Sequence, residues 1–384
     1  MHLLPDLRRG GGQIVVAELL AHMDRDRFEA QILALSGPKD MLDDFAAHGC
    51  APVVLDGNGP RLFTGVVSAV RRAQPDLIHV HSGRDRKLGQ LAALLTRTPV
   101  VGHLHSPWAH LEPMHAPDSH TATRVFSRSK AWLRRKVEDH TVVAYIAVGT
   151  AVAAFHEPEM TAPVYVVHNG IDTRRFAPAT ERSRRRARDV LDVAQDAPVV
   201  TFVGRLAEGK GQDTLISALP ELPGVQLILV GSGDCMAELV ARARRCGVED
   251  RVVFAGDRDD VPELLVAADV FAMASVSEGL PLSVLEALAC GVPVVSYDLP
   301  GLRDVLGDDQ AGRLVPRGDV PALVSALDSL LDDSATMRTM AAAARSTAES
   351  RFDSRVMAAE VEAVYDLVLG RCDTDVAITG GGGS

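Results

Sequence analysis

The chain has 384 residues, enough for two domains of ordinary size, and carries 51 acidic against 40 basic residues for a net charge of −11. That balance argues against a nucleic-acid partner and against general binding to anionic membranes. Five scattered cysteines (Cys50, Cys235, Cys246, Cys290, Cys372) without a CxxC argue against a disulfide framework, and no apolar run is long enough to cross a bilayer. The first residues run directly into a strand-like HLLP, so neither a signal peptide nor a membrane span is expected, and a cytoplasmic location follows.

Short apolar runs alternate with helical patterns along most of the chain, the signature of an α/β fold with parallel sheets. In the first half the expected strands are His2–Leu4, Ala30–Leu35, Pro52–Leu55, Leu77–Val80, Val100–Leu104, Val143–Val148 and Val164–Val167. Gly10, Gly11 and Gly12 follow the first of them and precede a helical pattern from Ile14 to Met23. Backbone amides there could face an anion or let a ligand approach, although a plain flexible turn is the competing reading.

His79 and His81, then His103 and His105, sit two apart at strand ends, so each pair points to one face of the sheet. Four imidazoles could bind a transition metal, but no carboxylate or cysteine joins them at ligand spacing. The favoured reading is no metal, with one histidine contacting a ligand and the others structural. Residues 106–140 are irregular and then basic, with Arg124, Arg128, Lys130, Arg134, Arg135 and Lys136 around Trp132 and Val137. A solvated helix over the sheet is favoured there, and a weak membrane-surface contact through 124–137 is the alternative.

An Asn-Gly turn at Asn169-Gly170 marks the crossing between domains, and the arginine run Arg182–Arg188 reads as a solvated helix face without chemistry. The second half restarts the alternation with Val199–Val203, Val225–Val230, Val252–Ala255, Val270–Ala274 and Val292–Ser296. Gly204-Arg205 to Lys210-Gly211 places two cations in a glycine-rich loop at a strand end, suited to a diphosphate, and an exposed basic turn is the bland equivalent. Gly231-Ser232-Gly233 approaches a dinucleotide fingerprint but has Met236 in place of the third glycine.

The stretch Ser277 to Val295 anchors the second half, with Glu278 before and Glu286 inside an apolar helix expected from Leu280 to Cys290, with Pro281 in its first turn and Gly291 after its end. A carboxylate in so apolar a helix needs a donor set such as vicinal hydroxyls, unless Glu286 faces solvent. Helices are expected at Val320–Leu331 and at Arg351–Leu369, and the GGGGS ending reads as a linker.

The ordered set GRL…KG, SEG…E with seven residues between its glutamates, and VVHNGID…F…P resembles glycosyltransferase family 4 over nearly the whole chain. The resemblance implies a retaining, metal-independent transferase of GT-B fold with two Rossmann-like domains facing a cleft. The domains would be an acceptor-side domain 1–172, a nucleotide-sugar-binding domain 173–350, a helix 351–370 crossing back to the first domain and a flexible tail 371–384.

By the same resemblance, Arg205 and Lys210 hold the donor diphosphate, Glu278 the donor sugar, Glu286 the ribose, and His105 the sugar from the first domain, with His103 in reserve. Gly204, Gly279, Leu280, Pro281 and Leu282 complete the donor site, with Gly11, Gly12 and Asn169 contributing from the first domain. The donor is expected to be a UDP-sugar, then a GDP-sugar, with no separate cofactor. The acceptor is a hydroxyl of a glycan, natural product or lipid-linked sugar, and the location cytoplasmic, with a peripheral place at the inner membrane face as an option. Departures are Asp304 where the family often has Glu, Gly209 before the lysine, and a first strand with almost nothing before it. The competing readings are a non-catalytic sugar-nucleotide-binding protein, a nucleotide-sugar epimerase of the same fold, and an NAD-linked oxidoreductase.

Overall fold

The computed structural model describes residues 1–35, 37–81, 83–106, 135–307 and 309–371. Most of the basic stretch 124–137 and the glycine-rich tail therefore lie outside the described residues. The chain divides into two compact units, Met1–Asn169 with the segment from Met357, and Gly170–Val356.

The first unit is built on a seven-stranded sheet, β1 His2–Leu4, β2 Ile32–Ala34, β3 Val53–Val54, β4 Ile78–Val80, β5 Val100–Leu104, β6 Val142–Ala147 and β7 Val164–Val166, in the order 3-2-1-4-5-6-7. The second has six strands, β8 Val199–Val203, β9 Gln226–Val230, β10 Val252–Gly256, β11 Val270–Met273, β12 Val294–Tyr297 and β13 Gly312–Val315, in the order 10-9-8-11-12-13. Every strand pairing in both sheets is parallel. Helices cover the sheet faces, so the central strands are Val-, Leu- and Ile-rich and buried from end to end. Twelve strands lie where the apolar runs place them, within two residues at their ends. The thirteenth, β13, was not expected, because its sequence Gly-Arg-Leu-Val has too short an apolar run to stand out.

Strand order reverses between β1 and β4 in the first sheet and between β8 and β11 in the second. At such a reversal the loops leaving neighbouring strands diverge to opposite faces and open a crevice at the carboxyl ends. Each unit therefore has one place where residues distant in sequence meet beside a bare strand end.

The last helix, Ser354–Val368, buries Met357, Ala358, Val361, Val364 and Tyr365. From Met357 it belongs to the first unit: Glu362 accepts a hydrogen bond from the Asp24 amide at 2.7 Å and pairs with Arg27 at 3.2 Å, and Tyr365 reaches His79. Just before it, Ile171 and Asp353 run side by side as a parallel bridge, and Thr173 donates to the Asp353 carboxylate. Burial alone would raise that carboxyl's pKa, but hydrogen bonds from Arg355 and Thr173 hold it well below the ordinary carboxylate range.

The arginine run corrects one expectation. The helix Glu181–Val190 starts from a capping box between Thr180 and Ser183, but Arg188 turns inward and is 2% exposed. Its guanidinium donates to the carbonyls of Ala194, Gln195, Ala197 and Ala267 and pairs with Asp269 at 3.0 Å. Five donors in a planar fork let arginine satisfy that many acceptors, so the residue pins a loop and is not a solvated charge.

Candidate functional site

In the second unit the strand reversal brings together the loops after β8 and β11. Val200 and Thr201 pair with Val270 and Phe271, so the two strands end level with each other. Lys210, from the first loop, extends to Glu278, from the second, with Nζ 2.8 and 3.1 Å from the two carboxylate oxygens. The two loops are also tied through their backbones: the Val276 amide donates to the Gly209 carbonyl at 2.9 Å, and the Ser275 hydroxyl to the Lys210 carbonyl at 3.2 Å. Arg205 is exposed on the same loop, its carbonyl held by the buried Gln212 amide at 2.8 Å. Gln212 was not foreseen as a site residue; its only signal was a polar residue opening an apolar helix.

The near-fingerprint at Gly231 to Met236 serves a different purpose. A Cβ at Gly231 would lie 2.1 Å from the Gly204 carbonyl oxygen, and one at Gly233 would lie 2.2 Å from that of Leu206. The glycines let this loop press against the Gly204–Leu206 backbone, and the Leu206 amide donates to the Ser232 carbonyl at 2.9 Å. They shape the cationic loop from behind, which accounts for two glycines without any dinucleotide.

The helix expected from Leu280 starts later, at Leu282, and runs to Ala289. Pro281 lies in extended backbone as its N-cap, and Gly279 and Leu280 are buried in the approach to it. Gly301 explains how that approach is held: a Cβ there would fall 1.6 Å from the Gly279 carbonyl oxygen, so the next helix, Pro300–Leu306, begins in direct backbone contact with the loop. Glu286 is half-buried between the buried Leu285 and Ala287. One turn on, burial and then the Glu286 charge push the Cys290 thiol up to about 12.

In the first unit the strand reversal gathers five histidines. His2 pairs in register with His79, and His79 with Val101, so His2, His79, His81, His103 and His105 share one face. His2 Nδ1 lies 3.2 Å from His81 Nε2, His79 Nε2 lies 3.2 Å from His103 Nδ1, and Tyr365 Oη lies 2.6 Å from His79 Nδ1. The rings of His103 and His105 stack in parallel at 4.2 Å.

Burial brings His105 down to about 4 and His2 to about 3; burial and then the neighbouring imidazoles lower His79, His81 and His103 well below the usual histidine value. The cluster is therefore neutral near pH 7 and offers lone pairs and N–H groups, not charge. Gly12 stands beside it: a Cβ there would touch His105 Nε2 at 3.8 Å. Gly11 opens the helix Gly11–His22, and Asn169, 6% exposed, ends the unit. His2 and Tyr365 were not expected in this cluster.

The structure thus joins Lys210 with Glu278, Gly204 with the second glycine loop, and Gly12 with His105. Residues 183–347 match the family described as glycosyl transferases group 1, and residues 9–175 match glycosyltransferase family 4. A phosphatidyl-myo-inositol mannosyltransferase of Mycolicibacterium smegmatis is 28% identical over 94% of this chain and 91% of its own length. A 2-deoxystreptamine N-acetyl-D-glucosaminyltransferase of Streptomyces fradiae is 33% identical over 78% of this chain and 73% of its own. Among solved structures, HepE of Anabaena in complex with UDP is similar at a TM-score of 0.82 and 25% identity, over 95% of this chain and 99% of that one.

Proposed function

The chain belongs to glycosyltransferase family 4 and has its GT-B architecture of two Rossmann-like units, and from that premise we propose that it moves a sugar from a nucleoside diphosphate sugar to a hydroxyl acceptor with retention at the anomeric carbon. The observation that carries this reading is the Lys210–Glu278 pair at the strand reversal of the second unit, with Arg205 exposed on the same loop.

Departure of the nucleoside diphosphate leaves negative charge on the phosphates while positive charge grows at the sugar's anomeric carbon. Arg205 offers a planar fork to the phosphate oxygens and Lys210 a point charge, which together meet the leaving group without a metal ion. The amides of Gly279 and Leu280, leading into the helix Leu282–Ala289, add partial positive charge on the same side. Glu278 accepts from donor-sugar hydroxyls and Glu286 from the ribose pair. A neutral His105 suits a hydroxyl contact, because an imidazole with a depressed pKa neither repels the forming oxocarbenium charge nor needs a counter-ion. Attack from the face the diphosphate leaves, with a phosphate oxygen taking the acceptor proton, gives retention.

UDP is the first nucleotide to test, since HepE was solved with UDP, and GDP the second. For the acceptor, the named relatives act on phosphatidyl-myo-inositol and 2-deoxystreptamine, both polyhydroxylated six-membered carbocycles. Ring alcohols of that kind, free or lipid-linked, stand first among the glycan, natural-product and lipid-linked acceptors. Among the described residues no helix is long and apolar enough to cross a membrane; action in the cytoplasm, at the membrane surface when the acceptor is a lipid, fits this reading.

The experiment is a transfer assay with UDP- and GDP-sugars against myo-inositol, 2-deoxystreptamine and lipid extract, with the product's anomeric configuration read by NMR and EDTA present in one arm. Product with the donor's anomeric configuration, formed equally with EDTA, is expected. Nucleotide-dependent stabilisation without transfer to any acceptor would favour a non-catalytic binder, and donor conversion without acceptor would favour an epimerase.

A further inference from the structure

We propose that His81, His103 and His105 form a binding site for a borderline divalent transition metal ion, of which Zn2+ and Co2+ are the probes, at the strand reversal of the first unit. The proposal does not rest on the sugar-transfer reading, although the two share His105, so an ion held there would compete with a sugar contact by that residue.

Three observations converge. One ring nitrogen from each of these residues lies within 4.8 Å of the other two. His81 Nδ1, His103 Nε2 and His105 Nε2 are also buried without a hydrogen-bond partner among the described residues, one from each member of the triad. Buried imidazole nitrogens left unsatisfied are costly, and a metal ion satisfies three at once. A second triple in the same cluster, His2, His79 and His81, is less suited, because both nitrogens of His79 are already engaged.

The remaining nitrogens supply outer partners of the kind that metal-bound histidines use. When His79 Nδ1–H donates to Tyr365 Oη, His79 Nε2 accepts from His103 Nδ1–H, and that tautomer leaves the His103 Nε2 lone pair free for an ion. His81 Nε2–H donating to His2 Nδ1 leaves His81 Nδ1 equally free. The order Tyr365, His79, His103 thus sets which nitrogen of His103 keeps a free lone pair.

Closure is small. Nitrogens about 2.0–2.1 Å from a tetrahedral zinc lie about 3.3 Å apart, so no pair in the triad need close by more than about 1.5 Å. The parallel stack of His103 on His105 must also open, since stacked rings aim their lone pairs side by side. The terminal torsion of histidine is broad, and Gly12 leaves the flank of His105 without a side chain, so one ring can turn. A fourth position would remain for water or an oxygen ligand. Such an ion would tie the carboxyl ends of β4 and β5 together.

The test is titration of the full chain, stripped with EDTA and then dialysed free of it, with Co2+ and with Zn2+, with no donor or acceptor present. Expected are one equivalent of metal retained after gel filtration, a visible Co2+ absorption of low coordination number, and a rise in melting temperature with Zn2+. His81→Gln and His103→Gln are each expected to weaken binding at least a hundredfold, Tyr365→Phe about tenfold, and His22→Ala with His140→Ala not at all. Melting curves without metal show which variants are folded. Should the glutamine variants not fold, the wild-type Co2+ spectrum and its loss on diethyl pyrocarbonate modification, protected by prior Zn2+, decide instead. No retained equivalent at micromolar metal, or retention unchanged in the folded glutamine variants, overturns the site and leaves the transferase reading untouched.

Discussion

Lys210 and Glu278, 68 positions apart in the chain, are held as a two-point ion pair by the side-by-side ends of β8 and β11. The pair is 30% and 12% exposed, so water screens it only in part. On the function proposed above, a donor diphosphate would share or take over the lysine, and its sugar the glutamate, and until then each side chain holds the other in place.

Replacing Glu278 with Gln releases Lys210 from its partner while removing an acceptor for the sugar. The expected result is that free nucleoside diphosphate binds several-fold tighter by calorimetry, whereas turnover falls by 10²-fold or more. Equal weakening of both would show that the glutamate merely positions the loop.

Arg205→Ala should lower turnover by about 10²- to 10³-fold, the loss on the order of one preorganised electrostatic contact to a developing charge. Arg205→Lys should recover only part of it, because a point charge does not replace the fork. Steady-state kinetics on both variants, with turnover within a few-fold of wild type for the alanine form, would remove Arg205 from the mechanism.

Gly301→Ala would drive a methyl group into the Gly279 carbonyl. The loop before Leu282 must shift, so the melting temperature should fall by several degrees and nucleotide affinity at least tenfold. Gly318→Ala, where a Cβ would meet nothing within 4 Å but the backbone has a positive φ of 82°, serves as the comparison: it should cost stability of the order of 1 kcal/mol and leave nucleotide affinity alone.

The histidine cluster gives the fold a pH dependence with a definite sign. Histidines unfolded titrate near 6.5, while His105 titrates at about 4 and His2 at about 3 in the fold, so between those values the unfolded chain holds more protons. Stability is then fully present above about pH 6.5 and falls progressively as pH drops through 6 and 5. Urea midpoints measured from pH 7.5 to 5 should fall in that direction, and a His103→Leu variant should show a shallower fall. A flat profile would contradict the buried, neutral cluster.

Much of this was legible in the sequence because parallel strands covered on both faces are written as uninterrupted apolar runs, and twelve of them stood out. The histidine pairs were legible for the same reason, since alternation alone puts spacing-two residues on one face. What was hidden depended on long-range register. Nothing local says that His2 pairs with His79, or that Tyr365, 286 positions on, supplies its hydroxyl. Arg188 was misjudged because a run of arginines carries no mark of which one turns inward to collect carbonyls. Gly231 and Gly233 showed their motif but not their purpose, which lies in the neighbouring loop's backbone.

The last helix also bears on how the polypeptide matures. Its contacts with Asp24, Arg27 and His79 mean that the first unit is assembled from two separated segments of the chain, with Gly170–Val356 continuous between them. On a ribosome the middle portion would emerge whole before residues 357–368, so the first sheet waits for the helix whose Tyr365 reaches His79 on its central strand. Pulse proteolysis of stalled nascent chains should accordingly find protection of residues 170–356 before residues 1–169, the reverse of amino-to-carboxyl order.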